Sequence, residues 1–399
     1  PFQLMNFTGI PIGYHAEETL HQAFGPFYKP ADLLKQKFEK KETFKVEGSP
    51  DPAKFEAVKA RLLGVLFGIA SQLVDEGVAT PEATEKGAML GLRWSSGPFA
   101  LMNKVGTAQS LKWTKAIHDK WGNAFPLAPS LQKQGQRNEP WQLRNVLLDV
   151  QGHVATITID RPEALNALNP KVLKELGETF ERVANDKNVR AVILTGSGKS
   201  FVAGADIRAM AEQTAMESLT MTNLGQRVVR QIELMSKPVI CAVNGFAFGG
   251  GCEIALACDM LLAAESATFA LPEVGLGIHP GFGGTQRLPR LIGPARAKEL
   301  IFTGDRITAA QAEKIGLVNK VVKDADLLPE AMRIAQKIAE MAPVAIGLAK
   351  EAVNRGLETD LDSGLALETN SVTLTFATED QKEGMRAFLE KRKANFRGN

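Results

Sequence analysis

Two glutamates stand twenty residues apart in settings unlike that of a surface carboxylate. Glu253 lies in GFAFGGGCEIALACD (Gly245 to Asp259) and Glu273 in FALPEVGLGIHPGFGGTQRL (Phe269 to Leu288). The first stretch follows an apolar run, Pro238 to Val243, that reads as a buried strand. Three successive glycines, Gly249 to Gly251, then lead into an apolar helix read over Glu253 to Cys258. A strand, a glycine turn and a helix start leave several backbone N–H groups unpaired and pointing one way. Donors fixed in advance, with the helix dipole behind them, stabilise negative charge that develops during a reaction. Glu253 sits between Cys252 and Ile254, and Glu273 follows Leu271-Pro272, so neither neighbourhood is that of a solvated face.

These stretches resemble the enoyl-CoA hydratase (crotonase) family, and so does a third one upstream, FVAGADIRAM (Phe201 to Met210). The resemblance covers roughly Asn145 to Asn399. It implies an α/β fold, a superhelix of ββα units with a C-terminal helical trimerisation region. It places the catalytic carboxylates at Glu253 and Glu273 and the oxyanion-hole amides at Ala205 and Gly250. The implied reaction is syn addition of water to a trans-2-enoyl-CoA, giving (S)-3-hydroxyacyl-CoA. In that reaction the thioester oxygen gains enolate character, and two amides on it lower the barrier. Hydration also needs an acceptor for a proton of water and a donor for Cα. Two carboxylates sharing one water and one proton supply both, because close like charges push their pKa values apart.

By resemblance, Glu253 orients and deprotonates the water while Glu273 delivers the proton to Cα, and the two roles can be shared. The same resemblance lines the CoA thioester with Ala164, Ala203, Ala205, Asp206, Ile207 and Arg208, and with the adenine-side loop EALNAL (Glu163 to Leu168). GFGGTQ (Gly281 to Gln286) is expected to shape the acyl pocket, and Gly250 and Gly281 are both expected to touch the substrate. Lys391, from the basic run Lys391 to Lys393, is expected at the CoA phosphates. A short substrate, crotonyl-CoA, is the expected one. The alternatives are a double-bond isomerase or an acyl-CoA hydrolase on the same fold, and a non-catalytic acyl-CoA-binding module.

The elements before this module read as helices. PFQLMNFTG (Pro1 to Gly9) recurs as PFALMNKVG (Pro98 to Gly106), and at the same offset His21, Phe24 and Gly25 match His118, Trp121 and Gly122. Asp51 and Pro52 form an N-cap and a first-turn proline. Phe55, Val58, Leu62, Leu66, Ile69 and Leu73 then recur at helical spacing and predict one long amphipathic helix. Thr80-Pro81 starts another helix, and a third follows Gly106. Residues 1–127 resemble the C-terminal helical domain of 3-hydroxyacyl-CoA dehydrogenases, in which a duplicated GPF-x-L-M element occurs. No strand followed by GxGxxG is present to hold a dinucleotide, so no bound cofactor is expected. NAD would belong to a dehydrogenase part outside this chain, and dehydrogenase activity is expected only with that part. The first motif has nothing before it, which suggests a piece of a longer bifunctional polypeptide of the kind found in archaea. His15, His21 and His118 are expected to be structural. Residues 128–144, rich in Gln, Pro and Gly, read as a linker, with the hydratase-like module over 145–399.

Composition closes off other classes. A chain of 399 residues with 44% hydrophobic content buries large cores. Its 47 basic and 45 acidic residues leave a net charge of +2 with no footprint for nucleic acid. The three cysteines, Cys241, Cys252 and Cys258, fall in apolar segments without metal-ligand spacing, as buried thiols do in a reducing cytoplasm. Uninterrupted apolar runs are far shorter than the ~20 residues that span a bilayer, so no membrane partner is expected. GSGKS (Gly196 to Ser200) mimics a phosphate loop, but Ile193 stands where that motif needs glycine. A homotrimer or a hexamer is the expected assembly.

Overall fold

The computed structural model describes residues 2–46 and 51–399, so Pro1, where the repeat opens, lies outside the described residues. The chain divides into two compact units, Pro1–Leu143 and Arg144–Asn399.

The first unit is helical among its described residues, and the repeat is longer in space than in sequence. Helices Phe2–Thr8, Ile10–Phe24 and Asp32–Lys40 return 97 positions later as Pro98–Val105, Thr107–Trp121 and Pro129–Arg137. Gly9 and Gly106 join the first two helices of each set with φ of 107° and 96°, a conformation that favours glycine. The Asn6 side chain donates to and accepts from the Phe44 backbone at 2.7 and 2.8 Å. Asn103 repeats this with Trp141 at 2.9 and 2.7 Å. His21 and His118 each place Nδ1 2.9 Å from a backbone carbonyl just past the second helix, Gly25 and Phe125 respectively, as structural histidines do. The expected linker over 128–144 is thereby corrected. Its Pro129–Arg137 segment is a helix, with Ala128 and Leu131 buried in the core of the unit and Gly135 closely packed on Leu111. So few apolar anchors leave no periodicity to read.

The long helix is real, Pro52–Asp75, and the Phe55 N–H bonds the Asp51 carbonyl at 3.0 Å, as expected at an N-terminus. Its buried face is not centred on the apolar stripe. Phe55, Val58, Leu62 and Ile69 are exposed, whereas Phe67, Ala70 and Ser71 are buried. Small residues decide this. A Cβ on Gly64 would lie 2.8 Å from the Trp113 carbonyl, and one on Gly68 would lie 2.4 Å from the Phe125 ring. The helix therefore approaches Thr107–Trp121 along its glycine face, where backbones pack most closely. The Lys54–Asp75 segment has the length and the hydropathy, 1.5, of a membrane-crossing helix, and its buried residues contribute to the core of this unit.

The second unit is built from ten strands: β1 (Val146–Gln151), β2 (Val154–Ile159), β3 (Ala191–Gly196), β4 (Ser200–Val202), β5 (Val239–Val243), β6 (Phe246–Phe248), β7 (Met260–Ala264), β8 (Thr268–Ala270), β9 (Ile307–Thr308) and β10 (Lys320–Val322). The larger sheet runs β1-β2-β3-β5-β7-β10, parallel except for the β1–β2 hairpin; the smaller runs β4-β6-β8-β9, with β4, β6 and β8 parallel. Three times in succession a long strand turns a tight corner into a short one, β3 to β4, β5 to β6 and β7 to β8. Helical segments follow each pair, and the result is a superhelix of ββα turns. The corners leave no room for side chains: a Cβ on Gly245 would lie 2.1 Å from the Lys199 carbonyl. Strands β3 and β5 are buried along their whole length, as parallel strands covered on both faces are. The helix Leu327–Ala339 lies on β3 and β5, while Pro170–Asn185 packs on β1 and β2 and buries Val172, Leu173, Leu176, Phe180 and Val183 at helical spacing. Its N-cap, Asn169, accepts the Val172 N–H at 2.9 Å, a cap of roughly 1 kcal/mol.

Because β4, β6 and β8 are parallel neighbours, their C-terminal ends lie side by side. Ala205 comes just after β4, Gly249 and Gly250 just after β6, and Glu273 just after β8. The fold thus gathers three separated sequence motifs at one edge of the smaller sheet.

Candidate active site

Ala205 is held by a single parallel bridge to Leu168. The bonds of that bridge belong to its neighbours: Leu168 N–H to the Gly204 carbonyl and Asp206 N–H to the Leu168 carbonyl, both 2.8 Å. The N–H of Ala205 points the other way, and it has no acceptor among the described residues. Gly250 opens the helix Gly250–Leu256, so its N–H is likewise left without an intrahelical partner. The two segments touch, since a Cβ on Gly249 would lie 3.8 Å from the Gly204 Cα. Gly249 itself has φ of 50° and ψ of −123°, which turns the chain from strand to helix within one residue.

Glu253 is buried in that helix. Its Oε1 accepts two backbone N–H groups, from Phe282 and Gly284, both at 2.7 Å. Burial raises its pKa, and the amides of Gly284 and Phe282 and the charge of Arg287 pull the other way. Glu273, in the short 3₁₀ helix Pro272–Leu276, is pushed further, to about 7, by burial first and also by the charge of Glu253, with His279 opposing. Its Oε2 is buried with no hydrogen-bond partner among the described residues, and its Oε1 lies 2.8 Å from where a Cβ on Gly249 would be. A Cβ on Gly284 would meet Glu253 Oε1 at 3.0 Å. Each carboxylate is seated against a glycine, and a side chain there would displace it.

The remaining expected residues fall into two groups. Ala164 closes the short helix Pro162–Ala164, and the Ala203 N–H bonds the Leu165 carbonyl at 3.0 Å, so the EALNAL loop lies against the segment leading to Ala205. Asp206 accepts from Arg161 Nη1 at 2.9 Å, while Ile207 and Arg208 are exposed. The Gly281 carbonyl accepts from Gln226 at 2.9 Å, next to the turn that binds Glu253. Lys391 differs. No hydrogen bond or ion pair of the described residues joins it to the site, and its neighbours in the basic run are engaged elsewhere, Arg392 with Glu383 and Glu390 and Lys393 with Glu340. Among the described residues no cluster of His, Cys, Asp and Glu is arranged to hold a metal.

One residue of the EALNAL loop has a role that motif reading did not single out. Asn166 is fully buried, accepts the Arg161 N–H at 2.8 Å, and donates to the carbonyls of Ser197 and Ser200 at 2.9 and 2.7 Å. It holds the loop in two successive left-handed residues, Leu165 and Asn166, with φ of 51° and 59°. Asparagine tolerates that region better than most side chains, which was the available signal.

Known proteins resemble both units of the chain. The family described as enoyl-CoA hydratase/isomerase matches residues 149–399, and the 3-hydroxyacyl-CoA dehydrogenase C-terminal domain matches residues 58–139, which include the helix Pro129–Arg137. A protein of Clostridium acetobutylicum named short-chain-enoyl-CoA hydratase is 55% identical over 253 residues, 63% of this chain and 97% of that one. A crotonyl-CoA hydratase of Syntrophomonas wolfei is 54% identical over 253 residues, with the same shares. The crystal structure of an enoyl-CoA hydratase from Bacillus anthracis superposes with a TM-score of 0.63 at 43% identity, covering 64% of this chain and 100% of that chain.

Proposed function

The chain belongs to the enoyl-CoA hydratase/isomerase family, and we propose that its second unit is a hydratase for short trans-2-enoyl-CoA thioesters, crotonyl-CoA foremost. One observation carries the chemistry: a buried carboxylate, Glu253, and a half-buried one, Glu273, of unequal hydrogen bonding stand beside two amides that lack acceptors. The N–H groups of Ala205 and Gly250 receive the thioester oxygen. Glu253, which two amides favour as the anion, takes a proton from water as the water oxygen bonds to Cβ. The π electrons move to the thioester oxygen as enolate, which the two amides stabilise. Glu273, with its pKa near 7, keeps a protonated fraction at neutral pH and gives that proton to Cα on the same face, leaving (S)-3-hydroxyacyl-CoA. Return of the proton from Glu253 to Glu273 resets the pair, so the balance needs only water. No bound cofactor enters these steps.

Ala164, Ala203, Asp206, Ile207 and Arg208 are proposed along the CoA moiety, with Gly250 and Gly281 at the acyl end. The C-terminal helices Pro343–Gly356, Leu361–Thr375 and Glu379–Leu389 support a trimer or a dimer of trimers. At or beside them Leu357, Phe388 and Leu389 are 80%, 83% and 80% exposed, apolar surface available to such a contact. The cytoplasm is the proposed compartment, in keeping with three buried free thiols. Loss of the enoyl-thioester absorbance on adding crotonyl-CoA tests the reading, and a rate series over longer enoyl-CoAs tests the chain length. An unchanged absorbance with retained acyl-CoA binding would favour a binding module, and migration of a 3-enoyl double bond in its place would favour an isomerase.

A further inference from the structure

Glu253 does not hold its own orientation. The turn Phe282 to Gly284 does, by placing two N–H groups on Oε1 and leaving Oε2 for the water. We infer that Arg287, anchored by Glu233, is a positioning residue for hydration: it fixes this turn and so the aim of the Glu253 carboxylate. The inference rests on reading the site as a hydratase.

Arg287 lies in the helix Gly284–Ile292 and reaches back over the turn. Its Nη1 donates to the Phe282 carbonyl at 3.1 Å, while Nε and Nη2 donate to the two oxygens of Glu233 at 3.3 and 2.7 Å. The same peptide unit sequence therefore carries both functions: the Phe282 carbonyl faces the guanidinium and the Phe282 N–H faces Glu253. Gly283 has φ of 112°, and a Cβ there would lie 2.0 Å from Arg287 Nη1, so the guanidinium lies directly on the turn. Glu233 also accepts from Arg230 at 2.7 Å, and Arg230 continues to Glu358 at 3.1 Å. The Arg287 and Glu233 side chains are only 17% and 24% exposed, which removes them from the class of solvated surface pairs. The planar guanidinium reaches the Phe282 carbonyl and both Glu233 oxygens from three separate nitrogens, a spread that a single ammonium nitrogen does not reproduce. The positive charge of Arg287 also favours the ionised form of Glu253. The other groups acting on this pair of carboxylates are their mutual charge, the Cys252 thiol and His279 beside Glu273.

The test is steady-state hydration of crotonyl-CoA by the whole chain and by Arg287→Gln, Arg287→Lys and Glu233→Gln, across roughly pH 5 to 9. Arg287→Gln is expected to lower kcat by at least about tenfold with KM within about twofold, because a misaimed base affects the transition state more than CoA binding. It is also expected to move the acidic limb of kcat to higher pH, since Glu253 loses a favourable positive neighbour. Arg287→Lys restores the limb without restoring the full rate. Glu233→Gln moves the limb to lower pH, since the guanidinium is no longer neutralised. Butyryl-CoA binding and thermal melting establish that each variant is folded, and if Arg287→Gln does not fold, the other two carry the same readout. A folded Arg287→Gln with unchanged kcat and unchanged limb overturns the inference, and so does a rate loss matched by lost folded protein with the limb in place. Failure of the unaltered chain to hydrate crotonyl-CoA overturns the proposed function instead, and is seen before any substitution is made.

Discussion

Each unit of the molecule buries a glutamate in nearly the same cradle. In the first, Glu85 of the helix Pro81–Lys86 accepts the N–H groups of Phe99 and Ala100 on one oxygen, lies against Gly97, and is raised in pKa by burial in spite of those donors. In the second, Glu253 accepts Phe282 and Gly284 on one oxygen, lies against Gly284, and is raised by burial in spite of those donors. The donors around Glu85 are the first N–H groups of the helix Pro98–Val105, so that carboxylate completes a helix end. Around Glu253 there are in addition a second, half-buried carboxylate and two amides without acceptors. A displaced pKa marks a charge that is costly to bury. Whether the group reacts is decided by what stands next to it.

The largest expected effect would break this contrast outright. Glu253→Gln and Glu273→Gln should each lower kcat for crotonyl-CoA by at least about a hundredfold while acyl-CoA binding survives, and Glu85→Gln should leave kcat unchanged. The double variant should cost less than the product of the singles, because both groups act on one water. Near-normal hydration by Glu253→Gln would make it a second Glu85. Next in size, Gly249→Ala forces a Cβ to within 2.8 Å of Glu273 Oε1 at a φ of 50° and should lower kcat about tenfold, measured in the same assay against Gly97→Ala, which should lower only the melting temperature.

Glu85→Ala sharpens the other side. It leaves two helix N–H groups unpaired and should destabilise the first unit by about 1–3 kcal/mol in a denaturant titration, with hydration intact. The smallest effect is on pH dependence. The folded pKa of Glu273, about 7, lies above the ordinary 4.5, so between these values the folded state holds more proton than the unfolded one. Stability should therefore fall as pH rises from about 4.5 to 7, and thermal melts of Glu273→Gln should show a flatter dependence. The same titration should depress kcat as the pH passes above about 7, where Glu273 no longer carries its proton.

How far the sequence could be read depended on whether a feature was local. Glu253, Glu273, Gly250 and Ala205 each sit in a short motif, and the glycine turn before Glu253 has a direct backbone meaning. Arg287 and Glu233 are 54 positions apart and meet only because two helices pack at the site, so neither sequence neighbourhood announces them. Large side chains make the stripe on Pro52–Asp75 legible, but its buried face is set by Gly64 and Gly68, which allow the closest approach and leave no mark in an apolar pattern. The helix Pro129–Arg137 was hidden by its polar composition. Extending the repeat offset past Gly122 would have revealed it, since Leu34 and Leu131 are buried counterparts.

The three cysteines have a practical consequence. All are buried and free, all lie in the second unit, and burial pushes the thiols of Cys241 and Cys252 well away from ionisation. An alkylating reagent reaches them only when that unit opens. Thiol labelling of the native chain is therefore a built-in clock for the opening of the unit that carries Glu253 and Glu273, silent to any unfolding of the helical unit, and acyl-CoA bound at the site should slow it.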